Sequence, residues 1–548
     1  LTNCMGAFYF EINNLDFNKH RRNIILKRKN VDKVVFIPTM LLFGIVSAFL
    51  MLGGDTLQHS ISQLLDMMTS HSQWLYIGIY IINFIFLIWL GCSHYGRIRL
   101  GQPNEKPEYN DFQWGSMVFA TGIDASILML STTDPLQYLQ NPPFGAKPFS
   151  TAAYHYANVC GQFNWGPMAW MIFATATIAI GYALYVKNLR VQRLSAAIDL
   201  LEGPQTYKKV IRQLIDFIVV FGIMGGIGSS IGMEIPVISK VLSTMTGFSD
   251  TIWLKLALFV VLFVLFTLTV YAGLNKGIKK LSAWHIYTAI GFLLLVLLIG
   301  PTRHLIGAEG HNLFRLFDKF GRLSLNATGS DSHFAQHEML FYWGWWLSYM
   351  PVMGLFIARI SRGRTIRQVL LGMATYGALS CMSFYAILGG YALFLQSSGQ
   401  VDLVTLLNTQ GQAAVIAAVI TTLPWKIVML AIFCLSCFIF LATTISSSAF
   451  IVSSFTSLEL KIGEQPNRWN RMAWVVIFIL FSLGIVLVGS FQTVQAVCVI
   501  AGFPLIFVCA LLLVSIFHAV KNGEEPLPVE KEEISHFLKK RLTPKFFM

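Results

Sequence analysis

Apolar runs of about twenty residues, long enough to cross a ~30 Å hydrocarbon layer as helices, recur from residue 34 almost to the end of the chain. Short polar stretches separate them. The alternation predicts twelve spanning helices near 34–53, 75–96, 113–139, 164–186, 211–233, 252–275, 282–300, 337–360, 368–394, 424–457, 470–490 and 495–519. The expectation is therefore an all-α polytopic membrane protein, with 1–33 and 520–548 as terminal segments. Basic residues fall in every second connection. Stretches 54–74 and 395–423 contain no Lys or Arg, so both read as outer loops. Arg97, Arg99 and Lys106, then Lys187, Arg190 and Arg193, then Lys276, Lys279 and Lys280, then Arg359 to Arg367, then Lys461, Arg468 and Arg471 mark the others. Positive charge stays on the cytoplasmic side, so the pattern predicts a multi-pass protein of the cell (inner) membrane with both termini cytoplasmic. One outer loop, 301–336, breaks the alternation with Arg303, Arg315, Lys319 and Arg322. Its segment HNLFRLFDKF sets Leu313, Leu316, Phe317 and Phe320 against charge, which predicts an amphipathic helix lying in the interface.

Composition agrees. Of 548 residues 55% are hydrophobic and 12% charged, half the roughly 25% charged residues of soluble domains. No stretch is left for a soluble domain of any size. The net charge of +13 collects in the cytoplasmic loops, so it implies no nucleic-acid partner. Eight cysteines are scattered without metal-ligand spacing, and the Cys434–Cys437 pair lies inside a span, where packing is the expected role. No HExxH, paired-carboxylate, Ser/His or phosphate-loop pattern suggests an enzyme. Residues 1–32 lack the apolar core of a cleavable signal. Asn326-Ala-Thr forms a glycosylation sequon, which has no meaning in a bacterium.

Candidate chemistry concentrates in Trp343–Thr365, WGWWLSYMPVMGLFIARISRGRT. On a helix, Trp345, Trp346, Tyr349 and Met353 share one broad face, and four cations follow at Arg359, Arg362, Arg364 and Arg367. Electron-rich rings hold a quaternary ammonium ion, which has no N–H to hydrogen-bond. The same rings equally serve as core packing or as an interfacial belt. Two other spans depart from plain apolar helix: FATGIDASILML, with Gly122 and Asp124, and GIMGGIGSSIGMEIP, with Gly225, Gly226, Gly228, Gly232, Glu234 and Pro236. Glycine runs inside a span mark either backbone that lines a cavity or the close approach of a neighbouring helix. An acid in a span is a functional candidate, or a structural carboxylate satisfied by an unwound turn.

These stretches carry a resemblance. The Trp343–Thr365 segment, FATGIDASILMLSTTDPLQYLQNPPFG, FNWGPMAWMIF, MGGIGSSIGMEIPVIS and GLNKGIKKLS resemble the betaine/carnitine/choline transporter family (BCCT), with some features closest to its carnitine exchangers. The resemblance implies a LeuT-like fold of two inverted five-helix repeats. Two leading helices (34–96) would precede repeats at 97–300 and 337–519, with outer loop 301–336 between them. It also implies a homotrimer and secondary active transport of a quaternary (trimethyl)ammonium compound such as choline, glycine betaine or carnitine, by alternating access.

Residue by residue, the family's cage falls on Trp345, Trp346 and Tyr349 with Trp165 from span four. Trp170 and Phe173 take further positions, Phe173 where glycine betaine transporters often carry Tyr. The family's sodium-driven members would place the ion near Thr443 and Thr444, although threonines in helices also bond their own carbonyls. Met353 and His285 instead stand where carnitine exchangers carry a Met and an Arg in place of ions, which implies sodium-independent exchange. Asp124 occupies a turn where members carry small residues, two positions before the Asp of some choline carriers, and can pair with an ammonium group, a cation or a proton. Na+ coupling, H+ coupling and exchange all remain open, and no other cofactor is expected. A channel and an osmosensing role for the charged tail at 522–548 are the remaining alternatives.

Overall fold

The computed structural model describes residues 31–122, 125–189, 192–272, 279–325, 338–458, 460, 464–489 and 491–522, with backbone alone at 55–56, 268–272 and 279–286. The N-terminal segment, the sequon at Asn326 and the charged tail lie outside the described residues. All regular structure among the described residues is helical: α1 (Lys33–Leu52), α2 (Gly54–Cys92), α3 (Asp111–Thr121), α4 (Ala125–Gln140), α5 (Thr151–Trp165), α6 (Pro167–Tyr185), α7 (Thr206–Thr246), α8 (Ile252–Ala272), α9 (Lys279–Ile299) and α10 (Thr302–Leu325). There follow α11 (Leu340–Ile360), α12 (Ile366–Ser397), α13 (Leu403–Gln410), α14 (Gln412–Thr421), α15 (Lys426–Phe455), α16 (Arg468–Val488) and α17 (Phe491–Asn522).

Eight of these are long and apolar enough to cross a membrane, or ten if the bent pairs α3/α4 and α9/α10 each count as one span. The two predicted spans outside that count are α8 and α11. The side chains of α8 are described only to Thr267, and the polar edges of Trp and Tyr lower the hydropathy of α11. The protein is a multi-pass, all-α membrane protein. Exposed Leu41, Ile45, Phe49, Ile82 and Ile85 on α1 and α2 give it an apolar outer surface suited to lipid.

The structure departs from the sequence reading in three places and agrees with it at span three. The predicted outer loop 54–74 is the first half of α2, because nothing in DTLQHSISQLLDMMTSHSQ stops a helix. Span three is interrupted as its Gly-Ile-Asp suggests: α3 ends at the Gly122 cap and α4 begins at Ala125. The glycine run of span five does not break its helix, since α7 is continuous over 41 residues and through Pro236. Its glycines admit neighbours instead: a Cβ at Gly225 would come within 2.4 Å of Ala501 in α17, and one at Gly228 within 2.2 Å of Phe481 in α16. Finally, α10 is amphipathic and bent 109° from α9, but Phe317 faces outward with Phe314 and Ile306, while Leu316 and Leu305 face the protein. A helix of 24 residues sets its own buried stripe, and the short window read from sequence misplaced that ring.

Helix α11 lies at the centre, packed on α6, α7 and α17. The pair α5/α6, divided at Gly166, is buried from Ala157 to Tyr185 apart from half-buried Pro167. The site is built where these elements meet α4 and α12.

Candidate functional site

The rings expected from the 3.6-residue spacing do gather. Trp345, Trp346, Tyr349, Trp165 and Phe173 are all at most 4% exposed, so none is a lipid-facing belt residue. Trp346 is the hub. Its ring lies parallel to Trp345 at 5.1 Å and edge-to-face with Trp165 at 4.6 Å, Phe173 at 5.8 Å and Tyr349 at 6.5 Å. Trp165 also meets Trp345 at 5.7 Å. The polar edges on α11 are tied to backbone or hydroxyl, whereas Trp165 Nε1 is buried with no hydrogen-bond partner. Trp346 Nε1 donates to the Asn164 carbonyl at 2.8 Å, Trp345 Nε1 to the Gly226 carbonyl at 3.2 Å, and the Tyr349 hydroxyl pairs with Ser230 Oγ at 2.7 Å. Gly226 makes the second bond possible, since a side chain there would meet Ser348 at 2.8 Å and hold α7 away from α11.

A cation bound between two ring faces needs each centroid within about 6 Å, hence opposed rings roughly 10 Å apart. Trp165 and Trp346 touch instead. The arrangement is a closed cluster whose rings fill the space among them. Trp345 is a positioning ring, covered by Trp346 on one side and by Phe341, stacked at 5.2 Å, on the other.

The remaining expected residues stand apart from this cluster to different degrees. Trp170 joins it only through Phe173, at 5.7 Å, and otherwise fills a slot between Gly122 at the α3 terminus and Gly377 in α12. It is a packing residue beside the interruption of span three. Met353 is half-buried one turn beyond Tyr349. Thr443 Oγ1 donates to the Phe440 carbonyl of its own helix at 2.8 Å, and Thr444 is half-buried next to it. Asp124 and the side chain of His285 lie outside the described residues.

Three residues that the sequence did not single out stand against the rings. The carboxylate of Asp134, in α4, accepts hydrogen bonds from the hydroxyls of Tyr385 at 2.6 Å and of Tyr342. Tyr342 lies 5.8 Å from Trp346 and 6.0 Å from Trp165, and Tyr385 lies 6.4 Å from Trp165. Tyr342 is one turn before Trp346, so the helical spacing could have found it. Tyr385 opens a π-helical turn, Tyr385–Gly389, which no sequence periodicity announces. Glu234, noticed in the sequence, is buried and accepts from Ser126 at 2.5 Å, tying the first turn of α4 to α7.

The arginine half of the stretch has a different task. The α11–α12 turn is stitched to the segment between α2 and α3 by backbone bonds from Leu100 to Arg364, Gly363 to Leu100 and Ile366 to Ile98. Arg364 is 2% exposed, bonds Asp111 at 2.8 Å and the Tyr109 carbonyl at 3.0 Å, and lies 4.3 Å over Trp114. Arg362 pairs with Glu105 at 2.7 Å, and Arg367 donates to the carbonyls of Gly91 and Ser93 at 2.7 and 3.0 Å. The ends of α2, α3, α11 and α12 are thus latched together at the end of α11 away from the rings.

The family model for "BCCT, betaine/carnitine/choline family transporter" matches residues 34–525. The "Osmo-dependent choline transporter BetT2" of Acinetobacter baylyi is 28% identical over 502 residues, covering 90% of this chain and 72% of that protein. The "High-affinity choline transport protein" of Escherichia coli K12 is 27% identical over 501 residues, covering 90% and 73%. A solved Na+-coupled sialic acid symporter aligns at TM-score 0.43 and 14% identity over 81% of this chain and 87% of its own, a likeness too distant to assign a ligand or a helix order. With a family match over most of its length and choline transporters among its relatives, the chain belongs to the betaine/carnitine/choline transporter family and is a transporter, not an enzyme.

Proposed function

We propose that the protein is a secondary active transporter of a quaternary (trimethyl)ammonium compound, with choline the first candidate, working by alternating access. The observation that carries the reading is the buried cluster of Trp165, Trp346, Trp345 and Tyr349, drawn from two separate helices. Ring contacts to a cation contribute about 0.5–2 kcal/mol each, more when dry. Two or three suit the micromolar to millimolar affinity that lets a carrier release its cargo. The names of the two similar proteins favour choline over glycine betaine or carnitine.

Trp165 is the ring that moves. It ends α5, and Gly166 separates it from α6, so a small rotation there opens a space beside Trp346 while α11 stays tied to α7 through Trp345 and Tyr349. The arginine latch holds the opposite end of α11 shut during that opening. In the same reading two inverted five-helix repeats follow the leading pair, both termini are cytoplasmic in the inner membrane, and three copies associate through the outward Phe314 and Phe317 of α10. The coupling ion is sodium at Thr443 and Thr444, or a proton. Uptake of radiolabelled choline into proteoliposomes, with sodium and proton gradients imposed separately, tests the reading. Saturable accumulation driven by one gradient supports it. Counterflow without either gradient indicates exchange, and unsaturable flux indicates a channel.

A further inference from the structure

Asp134 is 1% exposed, and its Oδ1 has no hydrogen-bond partner. Among the described residues no Lys, Arg or His side chain forms an ion pair with it. Among the described residues another acid, Glu338, half-buried two residues before α11 and hydrogen-bonded to Gln495, feels its charge. A carboxylate inside a membrane protein is costly unless a cation or a proton balances it. The surroundings hold this one firmly in place. Tyr342 and Tyr385 both donate to its Oδ2, and the Tyr385 ring lies so close to α5 that a Cβ at Gly161 would sit 2.0 Å from it. Those two phenol rings border Trp165 and Trp346, so the carboxylate stands one ring outside the cluster.

We propose that Asp134 is the counter-charge of the transported ammonium group, held by the Tyr342 and Tyr385 hydroxyls one ring beyond the cage so that the site selects a permanent organic cation. The proposal rests on the quaternary-ammonium reading above and moves the balancing charge from Asp124, the sequence's candidate, to Asp134. The chemistry fits a methylated nitrogen. Such a cation offers charge without an N–H, and the Asp134 acceptor that needs donors already has them from the phenols, leaving the carboxylate to act on the cation through its field.

The test separates charge from shape. Asp134→Asn keeps an acceptor oxygen for both phenols and removes only the charge. Equilibrium binding is measured for choline, for glycine betaine and for 3,3-dimethyl-1-butanol, the neutral carbon analogue of choline. A carboxylate acting across one ring predicts that choline binds about tenfold more weakly to the Asn variant, while the neutral analogue is unchanged. Glycine betaine, whose own carboxylate opposes Asp134, loses less than choline. Asp134→Glu, which keeps the charge, recovers most of the choline affinity. The proposal is overturned if choline and the neutral analogue weaken together, as a structural role requires, or if choline is unaffected. A wild-type protein that binds none of the three defeats the cage reading itself, an outcome distinct from either.

Discussion

The two halves of Trp343–Thr365 belong to one continuous stretch and behave oppositely. The aromatic half meets its neighbours ring to ring, at centroid separations of 4.6 to 6.5 Å and mostly edge-to-face. Such pairs contribute about 0.5–1.5 kcal/mol each beyond burial and tolerate sliding and tilting. The arginine half is fixed by carboxylates and backbone carbonyls, each bond directional and several of them buried. Losing one partner there strands a charge or a carbonyl. The soft half can admit a ligand and close again, and the hard half keeps the end of α11 in register while it does.

If that contrast holds, Arg364→Ala should be the most damaging change. It removes the Asp111 pair, the Tyr109 bond and the Trp114 contact together. Asp111 is mostly exposed, so the pair itself contributes little, and the buried bond and ring contact dominate. A loss of about 2–4 kcal/mol is expected, read as a lower melting temperature in detergent, with Arg364→Lys only partly restoring it because an ammonium lacks the guanidinium fork. Trp346→Ala comes next. It removes the hub ring and should weaken choline binding about 30- to 100-fold in an equilibrium titration, with a smaller effect on Arg-latch integrity as read by proteolysis of the 93–111 segment. Trp170→Phe should lower thermal stability yet leave choline affinity within about threefold, since Trp170 packs the span-three interruption and not the hub. Equal loss of binding in Trp170→Phe and Trp346→Ala would erase the distinction drawn between them. Tyr349→Phe is the mildest, removing one hydrogen bond to Ser230 at a cost of about 1 kcal/mol of stability while keeping the ring, so choline affinity should stay within about twofold.

The aromatic half was legible in the sequence because i, i+3 and i+4 spacing within one helix brings Trp345, Trp346 and Tyr349 together whatever the rest of the chain does. Trp165 followed from the family resemblance alone. The latch was not legible, because Arg364 finds Asp111, and Arg367 finds Gly91, across more than 250 positions. Its arginines read only as a cytoplasmic charge cluster. Asp134 carries no local signal, since nothing in its stretch says that two phenols from α11 and α12 will converge on it. The continuous α7 has the same lesson: glycines at 225 and 228 are compatible with a break and with close packing, and the neighbours at Ala501 and Phe481 choose packing. Span periodicity is local information, and the partners of a charge or a glycine are not.

The central claim is that these rings close on a permanently cationic, methylated nitrogen. Tetramethylammonium carries nothing else: no hydroxyl, no carboxylate and no N–H. Its equilibrium binding to the purified protein, compared between wild type and Trp346→Leu, is the most direct test, because leucine keeps the site apolar and removes the π face. Saturable binding in the micromolar to millimolar range, weakened at least about tenfold by the leucine, is the predicted result. Equal binding by the two proteins, or none by the wild type, would contradict it.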